Sequence, residues 1–210
     1  MIFYFVRHGQ TDWNLEKRMQ GHMNIPLNAT GIKQINDLAD KIVENKICFD
    51  RMIASPLDRA KVSAEIIAEK TGFEGGIIFD EDFMERSCGL LEGVVWTPEL
   101  DLDDPRYKVE PVPDLCKRAR KALDKYVFEK DEKVMIVAHG AILAATKTVL
   151  SEYRIDYFDR SVPIIQGNVM CCEIEEGKGT QFDPVFADIM LKMIDEDRDY
   201  HMRDLGHEIG

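Results

Sequence analysis

Short apolar runs alternate with amphipathic stretches along most of the chain. Runs of this kind are typical of strands that are buried on both faces of a sheet. We therefore predict strands at residues 2–6, 51–55, 76–79, 133–138 and 168–174, with a further strand at 182–187.

Helical spacing of apolar residues predicts helices in the intervening segments. These lie at residues 30–45, 55–72 and 114–129, and from Gly140 to Leu150. For the second of them, Ser55 is the expected N-cap, Pro56 the expected first helical residue and Gly72 the expected end.

Alternation of strands with helices favours a mainly parallel sheet that is covered on both faces. We predict an α/β fold, a three-layer α/β/α sandwich, and a single domain over residues 1–210. Residues 97–113 are rich in proline and acidic side chains. We expect an insertion at about residues 81–113 that covers part of the functional site.

Charge and composition exclude several classes of partner. The net charge is −12 and the pI about 4.9, which disfavours nucleic acid and anionic membranes as partners. No apolar run approaches the ~20 residues of a membrane helix, and the first six residues are too short for a signal peptide. The five cysteines fit neither a disulfide framework nor a zinc site, so we expect reduced thiols and a cytoplasmic location. Whether the chain forms a homo-oligomer is left open.

Cationic and imidazole side chains follow three of the predicted strands. Arg7 and His8 follow the first strand, Arg59 lies in "SPLDRA" after the second, and His139 and Gly140 follow the strand at 133–138. The carboxyl ends of parallel strands share one edge of a sheet, where helix N-termini add partial positive charge. The set therefore predicts a site for a small dianion, and phosphate suits the bidentate geometry of arginine.

The same residues carry a resemblance to a known family. The motifs, in chain order, are "RHGQT", "QG" at 20–21, "PLNATG" at 26–31, "SPLDRA", "ERSCGLLEG" at 85–93 and "AHG" at 138–140. This series resembles the histidine phosphatase superfamily, the group with a phosphoglycerate mutase-like fold, from residue 2 to about residue 174.

The resemblance implies a role for each matching position. His8 would be the nucleophile that forms a phosphohistidine, and Glu85 the general acid for the leaving oxygen. Arg7, Arg59 and His139 would bind the phosphoryl oxygens. The remaining positions would bind phosphate or line the pocket, namely Asn14, Gln10, Thr11, Gln20, Gly21 and Gly140. No metal or other cofactor is expected.

These roles predict a metal-independent phosphatase acting on a small phosphorylated metabolite. A cofactor-dependent phosphoglycerate mutase is the main alternative, because both enzymes pass through phosphohistidine. Mutases of the family that the sequence resembles usually have an "LQG"-like segment where this chain has "LLEG", and they are usually longer. Both differences favour hydrolysis. The acidic residues after Gly93 favour it too, because they would repel a bisphosphate that a mutase must retain. A non-catalytic binder of a phosphorylated ligand would lack one of the five key residues, and all five are present.

Overall fold

A computed structural model describes residues 1–152, 154–158, 164–175 and 179–181. It contains one sheet of six strands within these ranges. The strands are β1 (Ile2–Arg7), β2 (Arg51–Ala54), β3 (Ile77–Phe79), β4 (Lys133–Ala138), β5 (Val169–Glu175) and β6 (Gly179–Gln181). The strand predicted at residues 182–187 and the charged tail lie outside the described residues.

The strand order is β3-β2-β4-β1-β5-β6. The first four strands of this order run parallel, while β5 pairs antiparallel with β1 and β6 pairs antiparallel with β5. The predicted parallel sheet is confirmed, with β1 and β4 at its centre.

Five α-helices accompany the sheet in the described part of the chain. They are α1 (Asp12–Leu15), α2 (Ala29–Glu44), α3 (Asp58–Thr71), α4 (Val112–Asp124) and α5 (Gly140–Leu150). Apolar residues of α2 and α3 pack on one face of the sheet, and those of α4 and α5 pack on the other. Successive strand residues such as Phe3 and Tyr4 point to opposite cores, which explains the continuous apolar runs. The predicted three-layer sandwich is confirmed.

The predicted start of α3 is wrong. The helix begins at Asp58 after an N-cap at Leu57, which makes no side-chain capping bond. Ser55 instead continues β2 at its C-terminal end, because its backbone N–H donates to Val137 O at 3.0 Å. Gly72 ends the helix in a left-handed conformation, as predicted. The helix predicted at 114–129 is shifted toward the N-terminus and ends at Asp124.

The segment between β3 and α4 forms a small core of its own. It contains short 3₁₀ helices at Glu81–Phe83, Gly89–Leu91 and Pro105–Tyr107. Cys88, Leu91 and Val109 are buried together, and Met19 packs against them. This part of the segment is therefore fastened to residues near α1, whereas Phe83 packs in the main core that α4 and α5 share.

Two glycines allow the loop after β1 to touch the start of α2. A Cβ atom on Gly9 would lie 2.4 Å from Gly31 O, and a Cβ on Gly31 would lie 2.1 Å from Gln10 O. Both distances are too short for any side chain. The contact fixes the backbone directly after His8.

No helix among the described residues has the length and hydropathy needed to cross a membrane. All five cysteines lie in the described ranges, and no disulfide joins them.

Replacing Gly31 with alanine tests the close approach. An alanine in place of a helical glycine ordinarily stabilises a helix by about 1 kcal/mol. Here we expect the free energy of unfolding to fall by about 1–3 kcal/mol, because the new methyl meets backbone atoms. Urea unfolding measures the change. The control is Ile32→Ala at the neighbouring exposed position. A gain in stability for Gly31→Ala would contradict the described contact.

Candidate active site

The register of the two central strands brings two histidines together. Arg7 of β1 pairs with Ala138 of β4, so His8 and His139 leave the sheet side by side. The backbone N–H of His8 donates to Ala138 O at 3.1 Å. The ring centroids of the two histidines lie 5.1 Å apart, and both side chains are buried.

A main-chain bond fixes the tautomer of His8. Its Nδ1 lies 2.6 Å from Gly9 O. A carbonyl oxygen only accepts hydrogen bonds, so Nδ1 carries the proton. In the neutral ring, Nε2 therefore has a free lone pair. Gly9 itself is held in place, because its N–H donates to Ser63 Oγ at 3.3 Å.

Arg59 places a fully buried guanidinium beside these rings. Nη1 donates to Met23 O at 2.7 Å and Nη2 donates to Gly21 O at 2.9 Å. Burial lowers the pKa of Arg59 to about 10, and the nearby carboxylate of Glu85 opposes that change. Within the described residues, Arg59 Nε has no hydrogen-bond partner. The group remains a cation at neutral pH.

Arg7 lies against the glycine that follows His139. A Cβ atom on Gly140 would stand 3.3 Å from Arg7 Cζ. The absence of a side chain at Gly140 thus lets the guanidinium approach the start of α5. Arg7 Nη1 also reaches Ile164 O at 3.4 Å.

Both histidines are held in the neutral form. Burial is the largest cause that lowers the pKa of His8 well below its ordinary value, and the charges of Arg59 and Arg7 lower it further. The bond to Gly9 O opposes this in part. The pKa of His139 is lowered for the same reasons, again with burial first and Arg59 second. The site therefore combines two neutral imidazole rings with positively charged guanidinium groups.

Ser55 positions the second histidine. His139 Nε2 lies 2.7 Å from Ser55 Oγ, and the serine is fully buried. No described residue is a hydrogen-bond partner of His139 Nδ1. This role was not predicted, because a serine directly before Pro56 matches the pattern of a helix N-cap.

The carboxyl group of Glu85 sits at the N-terminus of α5. Oε1 accepts from Ala141 N at 3.0 Å and from Ile142 N at 3.2 Å. It also accepts from the neighbouring Arg86 N at 2.9 Å. Three main-chain N–H groups thus fix the position of this carboxyl group. These bonds hold Glu85 against the residues two and three positions after His139, and within electrostatic reach of Arg59.

Arg118 of α4 secures the loop that carries Glu85. Nη1 donates to Asp82 O at 2.9 Å and to Met84 O at 2.7 Å. Nη2 donates to Glu85 O at 3.0 Å and to Glu110 Oε2 at 2.7 Å. The pair with Glu110 is bidentate, because Nε also donates to its Oε1 at 2.9 Å. No motif in the sequence pointed to this pair.

Asn14 lies near the turn after His8. Its Oδ1 accepts from Thr11 N and Oγ1 and from Gln166 Nε2, and Gln166 Nε2 also donates to Gly9 O at 3.2 Å. The side-chain oxygen is thus fully engaged, which leaves the amide N–H groups of Asn14 for other acceptors.

Most of the other predicted pocket residues make contacts that hold the protein's own structure together. Thr11 is buried and caps α1, and Gln10 Oε1 accepts from Asn28 Nδ2 at 3.1 Å. Gln20 is buried with Oε1 unpartnered in the described part of the chain. Gly21 acts through its carbonyl, which holds Arg59.

In the described ranges, no three His, Cys, Asp or Glu side chains are grouped so that they could hold a metal ion.

Comparison with known proteins identifies the family of this chain. A model of the histidine phosphatase superfamily, branch 1, matches residues 3–182. The uncharacterized phosphatase PhoE of Bacillus subtilis is 38% identical over 153 residues, which cover 70% of this chain and 75% of that protein. Phosphoglycerate mutase-like protein 4 of Arabidopsis thaliana is 31% identical over 154 residues, 66% of each chain.

A solved structure shares the fold. The mycobacterial glucosyl-3-phosphoglycerate phosphatase, in a complex with VO3, aligns with a TM-score of 0.71 at 22% identity. The alignment covers 87% of this chain and 97% of that one. The resemblance found in the sequence is thus confirmed, and the chain belongs to the histidine phosphatase superfamily.

Proposed function

We propose that this protein hydrolyses a small phosphomonoester through a phosphohistidine at His8, without a metal ion. The observation that carries the proposal is the tautomer of His8, which presents the Nε2 lone pair while Nδ1 is held by Gly9 O. A neutral, oriented imidazole is a competent nucleophile at neutral pH.

The surrounding cations suit a phosphoryl group. Phosphoryl transfer needs positioning and charge stabilisation more than other help from the protein. Arg7 and Arg59 supply positive charge next to His8, as their effect on its pKa indicates. The unpartnered Arg59 Nε and His139 Nδ1 are buried polar atoms in the described chain that a phosphoryl oxygen would satisfy.

The reaction proceeds in two displacements. Nε2 of His8 attacks phosphorus, the bond from phosphorus to the ester oxygen breaks, and that oxygen takes a proton from the Glu85 carboxyl group. Water then attacks the phosphohistidine and gives a proton back to Glu85. The N–P bond breaks, which regenerates neutral His8 and releases inorganic phosphate. Glu85 thus acts first as acid and then as base.

Phosphoglycerate mutase activity is the second candidate, which the name of the plant relative favours. The same site would serve it, with substrate rather than water taking the phosphoryl group. Exposed acidic residues after Gly93, Glu99 and Asp101 among them, disfavour retention of a highly anionic bisphosphate. Assay of 3-phosphoglycerate with a bisphosphate primer, beside release of inorganic phosphate, separates the two activities.

Hydrolysis of p-nitrophenyl phosphate in excess chelator tests the main proposal. We expect wild type to release phosphate and His8→Asn to be slower by about 10³-fold or more, because the nucleophile is lost. Cys48→Ser is the matched control, since Cys48 is exposed and lies before β2, at the sheet edge opposite the site. Full activity in His8→Asn, or dependence of the wild type on added metal, would contradict the proposal.

The neutral state of His8 predicts a specific dependence of stability on pH. Its pKa is lowered in the folded protein, so below the ordinary value of about 6.5 the unfolded chain binds a proton that the folded chain does not. The free energy of unfolding should therefore fall as the pH falls below about 6.5, by up to about 1.4 kcal/mol per pH unit for this group.

His8→Asn should remove that contribution, because its amide can still donate to Gly9 O but does not titrate. Urea unfolding of both proteins at several pH values between about 5 and 7.5 measures the two slopes. We expect the shallower slope for His8→Asn. Equal slopes would show that His8 titrates alike in the folded and unfolded chains.

A further inference from the structure

The main-chain carbonyl of Glu85 accepts hydrogen bonds from two distant side chains. Arg118 Nη2 donates to it at 3.0 Å from α4, and His22 Nε2 donates to it at 2.8 Å from the loop after α1. Both lone pairs of this oxygen are therefore used. The carboxyl group of the same residue is bound separately by the first turn of α5.

His22 belongs to the short turn that holds Arg59. The carbonyls on either side of it, those of Gly21 and Met23, receive the two terminal nitrogens of the Arg59 guanidinium. Gly21 adopts a φ of 48°, a left-handed conformation that favours glycine. The turn formed by residues 21–23 therefore has a defined shape, imposed by the buried cation.

A second bond ties this turn to the segment after Glu85. The backbone N–H of His22 donates to Glu92 Oε1 at 2.9 Å. A Cβ on Gly21 would lie 2.8 Å from the main-chain nitrogen of Cys88, so no larger residue fits there. The main chain of His22 is thus held in place. Its ring therefore donates to Glu85 O from a fixed position.

The two donors relate Glu85 to different parts of the molecule. Arg118 ties the loop to α4, and through it to the scaffold. His22 ties it to the turn that holds Arg59. The mechanism uses Arg59 on the phosphoryl group and Glu85 on the leaving oxygen, and these two positions are separated by a single P–O bond in the substrate. The spacing between them must be set to within a fraction of an ångström.

We propose that His22 is a positioning residue, whose Nε2–H bond to Glu85 O sets the place of the general acid relative to the phosphoryl-binding Arg59. This inference rests on the proposed function. His22 is exposed, so its ring adds little to the buried core. Its contribution is to the alignment of two groups that lie 26 residues apart in the chain and act on the same ester.

The proposed role makes the loss depend on the leaving group. The p-nitrophenolate anion is stable and departs with little need of a proton. The p-nitrobenzyl alkoxide is not, so p-nitrobenzyl phosphate, an ester of nearly the same shape, depends on the general acid. Damage to the position of Glu85 should slow the second ester more than the first. Damage to phosphate binding or to the fold should slow both equally.

The experiment compares kcat/KM for these two esters in four proteins. They are wild type, His22→Phe, His22→Gln and Glu85→Gln. Phenylalanine keeps the ring and removes the donor, whereas glutamine places an amide N–H close to the position of Nε2. Glu85→Gln removes the general acid and gives the largest expected change in the ratio of the two kcat/KM values. Urea unfolding of the variants checks that the fold is retained.

We expect His22→Phe to lower kcat/KM for p-nitrobenzyl phosphate by about 10-fold or more relative to p-nitrophenyl phosphate. His22→Gln should keep the ratio within about twofold of wild type. The inference would be overturned if His22→Phe left the ratio of the two kcat/KM values unchanged, or if His22→Phe and His22→Gln lowered that ratio equally. The proposed function would still stand in either case, provided that the wild type is active. A wild-type protein that cleaves neither ester would overturn both.

Discussion

Burial of Arg59 and two histidines beside the half-buried Arg7 is the constraint on which the rest of the site depends. Moving a cation out of water is costly unless other groups compensate it. Arg59, which is fully buried, obtains two carbonyl oxygens from the turn at residues 21–23. The two imidazoles avoid the cost by remaining neutral. Arg7 and Arg59 thus place two positive charges together in a chain whose overall charge is −12, and the proposed substrate, a small dianion, would compensate them.

The central strands convert this constraint into geometry. Because β1 and β4 are parallel neighbours, residues that follow equivalent positions must emerge together. Hydrogen bonds then orient each histidine, because His8 Nδ1 donates to Gly9 O and His139 Nε2 is bonded to Ser55 Oγ. The contact between Gly9 and Gly31 locks the loop that supplies the first of these bonds.

The sequence was sufficient to predict the layers of the fold and the cluster at the sheet edge. Continuous apolar runs are typical of strands buried on both faces, and β1 and β4 both end in histidine and glycine. Contacts between distant positions left no such pattern. Arg118 resembles any other cation on a helix, yet it holds three carbonyls of the loop that carries Glu85. Ser55 before a proline matched a capping motif. Instead, its backbone N–H pairs with β4 and extends β2 by one residue, which places the hydroxyl group against His139.

The most direct test of the account is the chemical linkage of the phosphorylated enzyme. The enzyme would be mixed rapidly with p-nitrophenyl phosphate, quenched in alkali, and analysed by peptide mass spectrometry and ³¹P NMR. Our account predicts a single phosphoryl group on Nε2 of His8, since Nδ1 is occupied by Gly9 O. A phosphoryl group on Nδ1 or on another residue, or turnover with no phosphorylated protein at any time, would contradict it.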